Sequence, residues 1–291
     1  MTDIDETTYR EWIGRTQVMC ERLDAWPVRG LKAALEGDFG TGEGDEVPGL
    51  GQWLYFVPAV ARSRMGEDGH PQRGDFLPPV SLPRRMWAAS DIRFGRPMRI
   101  GDEVEKTARI ADISVKAGKT GLLVFLKIEN IYRIGGEQAL SEVQTLVYRD
   151  DPRPDEAPPP PKPAPQAAAW SEAVETDTAL LFRYSAVTFN AHRIHYDAPY
   201  ARDVEGYPNV VVHGQLTATM LFDALSRHVP GQRAGTFGFR AMKPIFVGQR
   251  IFLEGAPSGN GYDLWARDAN GHLCLSASVE FQPQKTLEQG V

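Results

Sequence analysis

The alternation of apolar and polar residues divides the chain into two stretches that follow the same order. Residues 4–36 carry apolar residues at helical spacing and predict a helix that is broken at Pro27. After a Gly/Asp/Glu loop, residues 52–87 are dense in aromatic residues, prolines and arginines and predict an irregular packed loop. From Ile92 the period changes to two, which predicts the strands Glu103–Val115, Leu122–Arg133 and Ala139–Arg149.

The second half repeats this plan. A helix is predicted over Leu216–Leu225, and strand-like patterns follow at Phe237–Glu254, Gly261–Arg267 and Leu273–Phe281. A short pattern, basic-Pro-apolar-x-apolar-Gly-polar, occurs as RPMRIGD at Arg96 and as KPIFVGQ at Lys243, 147 residues later. A match this short can arise by chance. Together with the matching strand order, however, it favours an internal duplication.

A proline-rich segment separates the halves. Residues 150–169 hold eight of the 22 prolines and predict an extended, semi-rigid linker. We therefore expect an N-terminal half at 1–149, a linker at 150–169 and a C-terminal half at 170–291. Each half combines a helix with long antiparallel strands, which predicts an α+β fold with a ligand tunnel between the halves.

Composition and charge exclude several classes of function. The chain has 291 residues, is 42% hydrophobic and has a net charge of −6, which argues against nucleic acid and an anionic membrane as partners. There is no apolar run long enough for a transmembrane span, and the acidic start, MTDIDETTYREW, does not resemble a secretory signal. Cys20 and Cys274 are far apart, so we expect two buried thiols and a cytoplasmic protein.

Candidate chemistry is concentrated in a polar cluster, Asn190, His192, His195 and Asp197, with aromatic and apolar residues between its members. The spacing H-x-x-H-x-D offers metal-ligand types, but its offsets do not put all three residues on one helical face. Some of these side chains could equally cap turns or pair with nearby arginines. As a general acid–base group, His195 is the strongest candidate, because imidazole titrates near neutral pH.

The apolar run Val210–Val212 leads to His213 and Gly214 and then to the predicted helix. Free backbone N–H groups at a helix start can stabilise negative charge on a substrate oxygen, and a glycine allows a carbonyl oxygen to approach closely. The alternative is that Gly214 only permits a tight turn. We favour the functional interpretation because the polar cluster lies just upstream.

The sequence resembles the MaoC-like, or hydratase-2-type, double-hotdog dehydratases. The matching phrases are RYSAVTFNAHRIHYDAPYA, EGYPNVVVHGQLTA, FRAMKPIFVGQ and, in the first half, FLPPVSLPRRMWA. The wording is most similar to the subgroup of mesaconyl-C4-CoA, 3-methylfumaryl-CoA and itaconyl-CoA hydratases. The resemblance implies a double hotdog, in which two tandem helix-wrapped antiparallel sheets form an intrachain pseudo-dimer with an acyl-CoA between them.

The resemblance also implies roles for individual residues. The family motif runs Asp-x-Asn-Pro-aliphatic-His, and here Asn190 takes the place of the Asp while Ile194 and His195 keep the last two positions. An amide can orient water but cannot accept its proton. We expect His195 as the base, Asn190 as the group that holds water and Gly214 as the oxyanion donor. Supporting candidates are His192, Asp197 and His213.

Four further residues are candidate substrate contacts: Tyr184, Thr188, Arg84 and Arg85. The first half lacks the motif and is expected to be catalytically silent, with His70 and Arg73 in an irregular segment. The resemblance implies reversible hydration of a short, branched dicarboxylic enoyl-CoA, with CoA as part of the substrate and no metal or other cofactor. Further assembly of pseudo-dimers into a homo-oligomer is left open by the sequence. Alternatives are a dehydratase of fatty acid synthesis, a hotdog thioesterase and a non-catalytic acyl-CoA-binding protein.

Overall fold

One antiparallel sheet of ten strands runs through the part of the chain that a computed structural model describes, residues 7–118, 121–151 and 160–283. The strands are β1 (Thr16–Arg22), β2 (Arg84–Phe94), β3 (Glu103–Gly118), β4 (Gly121–Ile134), β5 (Glu137–Arg149), β6 (Trp170–Glu175), β7 (Ala234–Ala241), β8 (Arg250–Ser258), β9 (Gly261–Asp268) and β10 (Leu273–Phe281). Their order is β1-β3-β4-β5-β2-β7-β10-β9-β8-β6. The second half therefore mirrors the first about the β2–β7 pair, and the expected double-hotdog fold is confirmed.

The two halves are joined by backbone pairing at the centre of the sheet. Strands β2 and β7 pair over five residues each, with Ser90 opposite Phe239 and Ile92 opposite Phe237. These four side chains are at most 1% exposed. The seam is thus part of the main hydrophobic core, and burial of apolar surface holds the halves together.

The repeated sequence pattern makes the same turn in both halves. Gly101 and Gly248 both have positive φ angles, of 100° and 82°, which suit glycine. Each donates its N–H to the residue that follows the first strand of its half, Gly101 to Leu23 at 2.8 Å and Gly248 to Thr176 at 2.6 Å. Each turn leads into the long strand next to the outer edge, β3 or β8.

Three α-helices lie within the described residues: α1 (Ala25–Leu35), α2 (Thr178–Val187) and α3 (Gly214–His228). The helix predicted at Leu216–Leu225 lies within α3. The helix predicted over residues 4–36 is wrong for its first part, because Thr16–Arg22 pairs with β3 as strand β1. Only β3 offers that segment backbone partners, so tertiary pairing overrides a weak helical pattern there.

The halves differ in the helix that covers the concave face of the sheet. Val47 donates its N–H to Met98 at 2.9 Å, and Val212 makes the same bond to Ile245 at 2.8 Å, so the two segments occupy matching places. After this place the second half forms α3, with 15 residues, whereas the first half forms a single 3-10 turn, Gly51–Leu54. The resemblance led us to expect a long helix in each half, but no α-helix takes this place among the described residues of the first half.

Two strands and part of the linker differ from the sequence-based expectations. Strand β2 begins at Arg84, inside the segment expected to be irregular, and β6 was not predicted. Residues 152–159 of the predicted linker lie outside the described residues. Its later part is attached to the second half, since Ala164 donates its N–H to Gly271 at 2.9 Å. The boundaries at 149 and 170 stay a prediction.

The two cysteines differ in their exposure to solvent. Cys274 is buried and Cys20 is exposed, so the expectation of two buried thiols is wrong for Cys20, which lies on an edge strand. Neither forms a disulfide. Among the described residues, each helix is too short or too polar to cross a bilayer.

Candidate active site

The loop between α2 and α3 positions the polar cluster. It begins with a turn in which Phe189 has a positive φ of 48° and the Asn190 side-chain oxygen accepts the N–H of His192 at 3.0 Å. A single 3-10 turn, Arg193–His195, follows. Val211 then donates its N–H to Ile194 at 2.8 Å, which ties the cluster to the segment leading into α3.

The imidazole of His195 is held in one tautomer. Its Nδ1 lies 2.8 Å from the carbonyl oxygen of Val211, and a carbonyl can only accept, so Nδ1 carries the proton. The lone pair is therefore on Nε2, which has no hydrogen-bond partner in the described chain. His195 lines a cavity, and burial, reinforced by His213 and His192, lowers its pKa well below 6.5. His195 is thus a neutral base at neutral pH.

His213 supports this ring from behind. The two rings stack with centroids 3.7 Å apart and planes at 20°. His213 is fully buried, and its Nε2 lies 2.9 Å from Ser185 Oγ. Burial lowers the pKa of His213 to about 3, so the stack joins two neutral rings. Its role is to orient His195, since it does not itself line the cavity.

Helix α3 begins at Gly214 without a side-chain cap. The N–H of Thr217 makes a bond of 3.1 Å to the carbonyl of His213, and the N–H groups before it have no partner within the helix. A Cβ atom placed on Gly214 would meet no heavy atom within 4 Å, so there is room for a ligand beside it. The matching glycine of the first half, Gly49, faces the ring of Phe222, which would lie 2.0 Å from such a Cβ. Of these two glycines, only Gly214 has room for a ligand beside it.

A cavity of about 1800 Å³ joins these groups and is lined by both halves. Typical ligand pockets measure about 300–1,000 Å³, so this one has room for a long ligand. His195, Asn190 and Gly214 line it from the second half, and Arg85 and His70 from the first. The structure therefore brings the three predicted catalytic residues to one space.

The supporting candidates are placed less uniformly. His192 lines the cavity, and its Nε2 lies 3.4 Å from a buried carboxylate oxygen of Glu205, which the sequence did not single out. Asp197 pairs with Arg193 at 2.7 Å and does not line the cavity. Its carboxylate also accepts the N–H of Tyr200 at 3.1 Å, so it stabilises the local turn.

The four candidate substrate contacts all line the cavity, but most have structural partners. Tyr184 is 2% exposed and contacts the His213 ring edge-on at 5.1 Å, and Thr188 donates its hydroxyl to the Tyr184 carbonyl at 2.7 Å. Arg84 is held by Asp151 at 2.7 Å and by the Glu205 carbonyl. Arg85 has no carboxylate partner in the described part of the chain.

A turn of the first half, which carries Asp68 and His70, contacts the polar cluster. Asp68 accepts the N–H of Arg193 on its backbone oxygen at 2.9 Å, and the ring of His70 lies 4.0 Å from that of His192. His70 was expected in an irregular packed loop, and its contact with His192 at the cavity corrects that expectation. The available signal was length, because irregular segments longer than about 12–15 residues are uncommon and often functional.

The H-x-x-H-x-D spacing does not assemble a metal-binding group among the described residues. A different set does converge, since one ligand atom each from Asp68, His70 and His192 lie within 4.8 Å of one another. Asp68 and His70 Nδ1 are already hydrogen-bonded to each other at 2.9 Å. The positive charge of Arg85, which lowers the pKa of His70 after burial, also opposes a cation here.

The first-half strands, which lack a helix equivalent to α3, give the cavity a polar inner wall. Glu142 is 2% exposed and accepts hydrogen bonds from Ser90 at 2.6 Å and Trp53 at 3.1 Å. Burial raises its pKa and lowers that of Lys106, whose ammonium has no ion-pair partner in the described residues. Gln52 is 2% exposed with an unpartnered side-chain nitrogen. In the second half the same face is apolar and covered by α3: Ile251, Leu253, Leu264, Ala266, Leu275 and Ala277.

Sequence comparisons found a matching family and related proteins. The model of the hydroxyacyl-thioester dehydratase type 2 family matches residues 50–247. Mesaconyl-C(4)-CoA hydratase of Chloroflexus aurantiacus is 41% identical over 272 residues, covering 92% of this chain and 96% of that protein. Mitochondrial hydroxyacyl-thioester dehydratase type 2 of Schizosaccharomyces pombe is 28% identical over 239 residues, covering 73% and 78%.

Solved structures share the fold. HtdX of Mycobacterium tuberculosis superposes with a TM-score of 0.67 at 22% identity and covers 92% of this chain and 100% of that one. Another Mycobacterium tuberculosis protein, described as a double hotdog, has a TM-score of 0.58 at 13% identity, with coverages of 92% and 96%. Identities this low support the architecture alone.

Proposed function

The chain belongs to the hydroxyacyl-thioester dehydratase type 2 family, and from this premise we propose that it reversibly hydrates the C=C bond of a short, branched dicarboxylic enoyl-CoA. Mesaconyl-C4-CoA, itaconyl-CoA and 3-methylfumaryl-CoA represent this substrate class. One observation carries the proposal. The bare Nε2 of His195 and the open helix start at Gly214 face one cavity, so a base and oxyanion donors can act on the same thioester.

The mechanism follows from these two groups. The thioester oxygen accepts N–H donors at Gly214, where the helix N-terminus favours negative charge. His195 takes a proton from a water molecule as the water oxygen bonds to the β-carbon, and the C=C electron pair moves toward the thioester oxygen. The proton on His195 then passes to the α-carbon on the same face and restores the carbonyl and the neutral imidazole. No metal or redox cofactor takes part.

The substrate class is supported by the relative and by the cavity wall. The Chloroflexus protein that is 41% identical is named for a dicarboxylic acyl-CoA. In the described chain, Arg85 and Lys106 line the cavity as cations without a carboxylate partner, and such groups favour an anionic substrate. A fatty enoyl chain would instead leave Lys106, Gln52 and Glu142 facing hydrocarbon, which is unfavourable for polar groups. This argues against a dehydratase of fatty acid synthesis.

Two other classes remain as alternatives. A hotdog thioesterase would hydrolyse the substrate and is expected to place a carboxylate near the helix start, where Gln215 is the nearest polar residue. A non-catalytic acyl-CoA-binding protein would bind the thioester without changing it. The neutral, unpaired Nε2 of His195 favours the hydratase over the binding protein, since it is in the form a base requires.

The test is turnover of the three dicarboxylic thioesters and of crotonyl-CoA and a longer fatty enoyl-CoA, read by enoyl absorbance. A thiol-reactive dye reports hydrolysis in parallel. We expect loss of enoyl absorbance without thiol release and a preference for the dicarboxylic substrates. In the Lys106→Met variant, the preference for dicarboxylic thioesters over crotonyl-CoA should fall. Thiol release would indicate a thioesterase, and binding without any absorbance change would contradict catalysis.

The setting of the reaction is part of the proposal. We place it in the cytoplasm, since neither cysteine is in a disulfide and Cys20 is exposed, as in a reducing compartment. CoA enters as part of the substrate. Assembly of pseudo-dimers into a homo-oligomer stays a prediction that light scattering would test.

A further inference from the structure

The site lacks the carboxylate that the family motif places at residue 190, and the structure shows what Asn190 does instead. Its side-chain oxygen accepts the backbone N–H of His192 at 3.0 Å. The amide nitrogen that remains can only donate. A water beside His195 can donate one hydrogen to His195 Nε2, and a second acceptor that holds the other hydrogen would fix its orientation.

A second acceptor is present on the first half. The carboxylate of Asp68 lies 2.9 Å from His70 Nδ1 and also accepts the His70 backbone N–H at 2.9 Å. Burial alone would raise the pKa of Asp68, but these hydrogen bonds outweigh it and hold that pKa below its ordinary range. An ionised carboxylate can only accept, so His70 Nδ1 carries the proton and Nε2 keeps its lone pair. This arrangement fixes the tautomer and the orientation of the His70 ring.

The turn that carries Asp68 and His70 packs against the loop between α2 and α3 in the second half. Gly69, with a φ of 83°, lies so close to the Ala191 backbone that an added Cβ would be 1.9 Å from the Ala191 carbonyl oxygen. Arg193 donates its N–H to the Asp68 carbonyl at 2.9 Å and its guanidinium to the Glu67 carbonyl at 3.1 Å. Three contacts thus set the position of His70 relative to the cluster.

His70 faces the same cavity as His195. Its ring lies 4.0 Å from the ring of His192, which in turn contacts the His195 ring edge-on at 5.4 Å. His70 lines the cavity, and its Nε2 has no hydrogen-bond partner within the described residues. Burial and the nearby Arg85 lower the pKa of His70 to about 3, so it is neutral at neutral pH.

We propose that Asp68 and His70 form a dyad that completes the hydration site from the first half of the chain. The inference rests on the proposed function. In the hydration step the water gives one proton to His195 while its second hydrogen is held by His70 Nε2 and stays on the product hydroxyl. His70 thus takes the place of the carboxylate that Asn190 does not provide, and Asp68 keeps its Nε2 free of a proton.

The experiment compares Asp68→Asn with Glu67→Gln, two isosteric changes that each remove one negative charge from the same turn. Glu67 is exposed, and its side chain takes no part in the site. Asparagine can donate to His70 Nδ1, which would move the proton to Nε2 and remove the acceptor. We expect kcat for Asp68→Asn to fall on the order of 10²–10⁴-fold, with KM changed less than about threefold and the unfolding midpoint close to that of Glu67→Gln.

A second variant separates chemistry from folding. His70→Ala should lose activity to a similar extent and regain part of it with added imidazole, in proportion to the neutral imidazole present. A purely structural role would not give this pH dependence.

Two outcomes overturn the dyad alone: an active parent with an equally active Asp68→Asn, or activity lost to a chelator and restored by Zn²⁺, which would make the same residues metal ligands. A parent inert toward every enoyl thioester would overturn the proposed function and the dyad with it.

Discussion

The imidazole rings of His195 and His213 lie parallel within 20°, with their centroids 3.7 Å apart. Two charged rings could not stack at this distance in a buried site without a large electrostatic cost. His213 therefore disfavours protonation of His195, and the Val211 carbonyl fixes which His195 nitrogen stays free. The stack keeps the base neutral and oriented.

Removal of the base is the most direct test of its role. His195→Ala should lower kcat on the order of 10²–10⁴-fold, because it deletes the group that takes the water proton. His228→Ala is a matched control, since His228 is exposed and pairs with Glu172 at 2.7 Å, away from the cavity. The measurement is enoyl-CoA turnover with both folded variants. Equal rates in the two would contradict the assignment.

Substitution of Gly214 should separate stability from activity. Gly214→Ala adds a methyl group in open space at a helix start, so the free energy of unfolding should stay the same or rise by up to about 1 kcal/mol. The methyl group occupies the approach of the thioester oxygen, and kcat/KM should fall roughly 10–10²-fold. Gly42→Ala, on a surface loop, is the control. A variant both stable and fully active would refute an oxyanion site at this position.

The turn at Gly69 is expected to be intolerant of any side chain. Gly69→Ala combines a positive φ with a Cβ placed 1.9 Å from the Ala191 carbonyl oxygen. Gly74→Ala has a similar φ of 99° but its nearest contact is 3.9 Å away, so it measures the backbone strain alone, roughly 1–2 kcal/mol. We expect Gly69→Ala to lose more stability than this control, as well as activity. Thermal unfolding and turnover of both variants check the difference.

Stability should fall as the solution becomes acidic. His70 and His213 have folded-state pKa values of about 3, and that of His195 is well below 6.5. Below pH 6.5 the unfolded chain binds protons that the folded chain excludes, so stability is present above that pH and is lost as pH falls. His70 and His213 should each contribute about 1 kcal/mol between pH 6.5 and 5.5, and His195 acts in the same direction. Urea unfolding at both values measures the slope, which should decrease in His213→Asn. A slope of zero would contradict burial of neutral rings.

Much of the sheet could be predicted from the sequence, and the exceptions have physical reasons. Strand β4 alternates clearly between buried and less buried residues, and the strands predicted at 103–115, 122–133 and 139–149 end within a few residues of β3, β4 and β5. Strand β2 is buried at the seam and does not alternate cleanly, and β1 is stabilised mainly by its pairing with β3. Such long-range pairing leaves little local signal.

The same limit applies to the site. His195 and Gly214 stand next to features that a sequence shows, a spaced polar cluster and a helix start. Asp68 and His70 were missed because their contact with His192 depends on Gly69 fitting against Ala191, more than 100 residues away. Lys106 was missed because only the loss of a covering helix in the first half exposes its strand to the cavity.

The unequal environments of Gly49 and Gly214 determine how many ligands one chain binds. A dimer of identical single hotdogs must contain two equivalent helix starts and would bind two ligands. In this chain the Phe222 ring fills the space at Gly49, and only Gly214 remains accessible. Each chain of 32.3 kDa should therefore titrate with one equivalent of thioester, so the binding isotherm of a single chain should show no cooperativity between its halves.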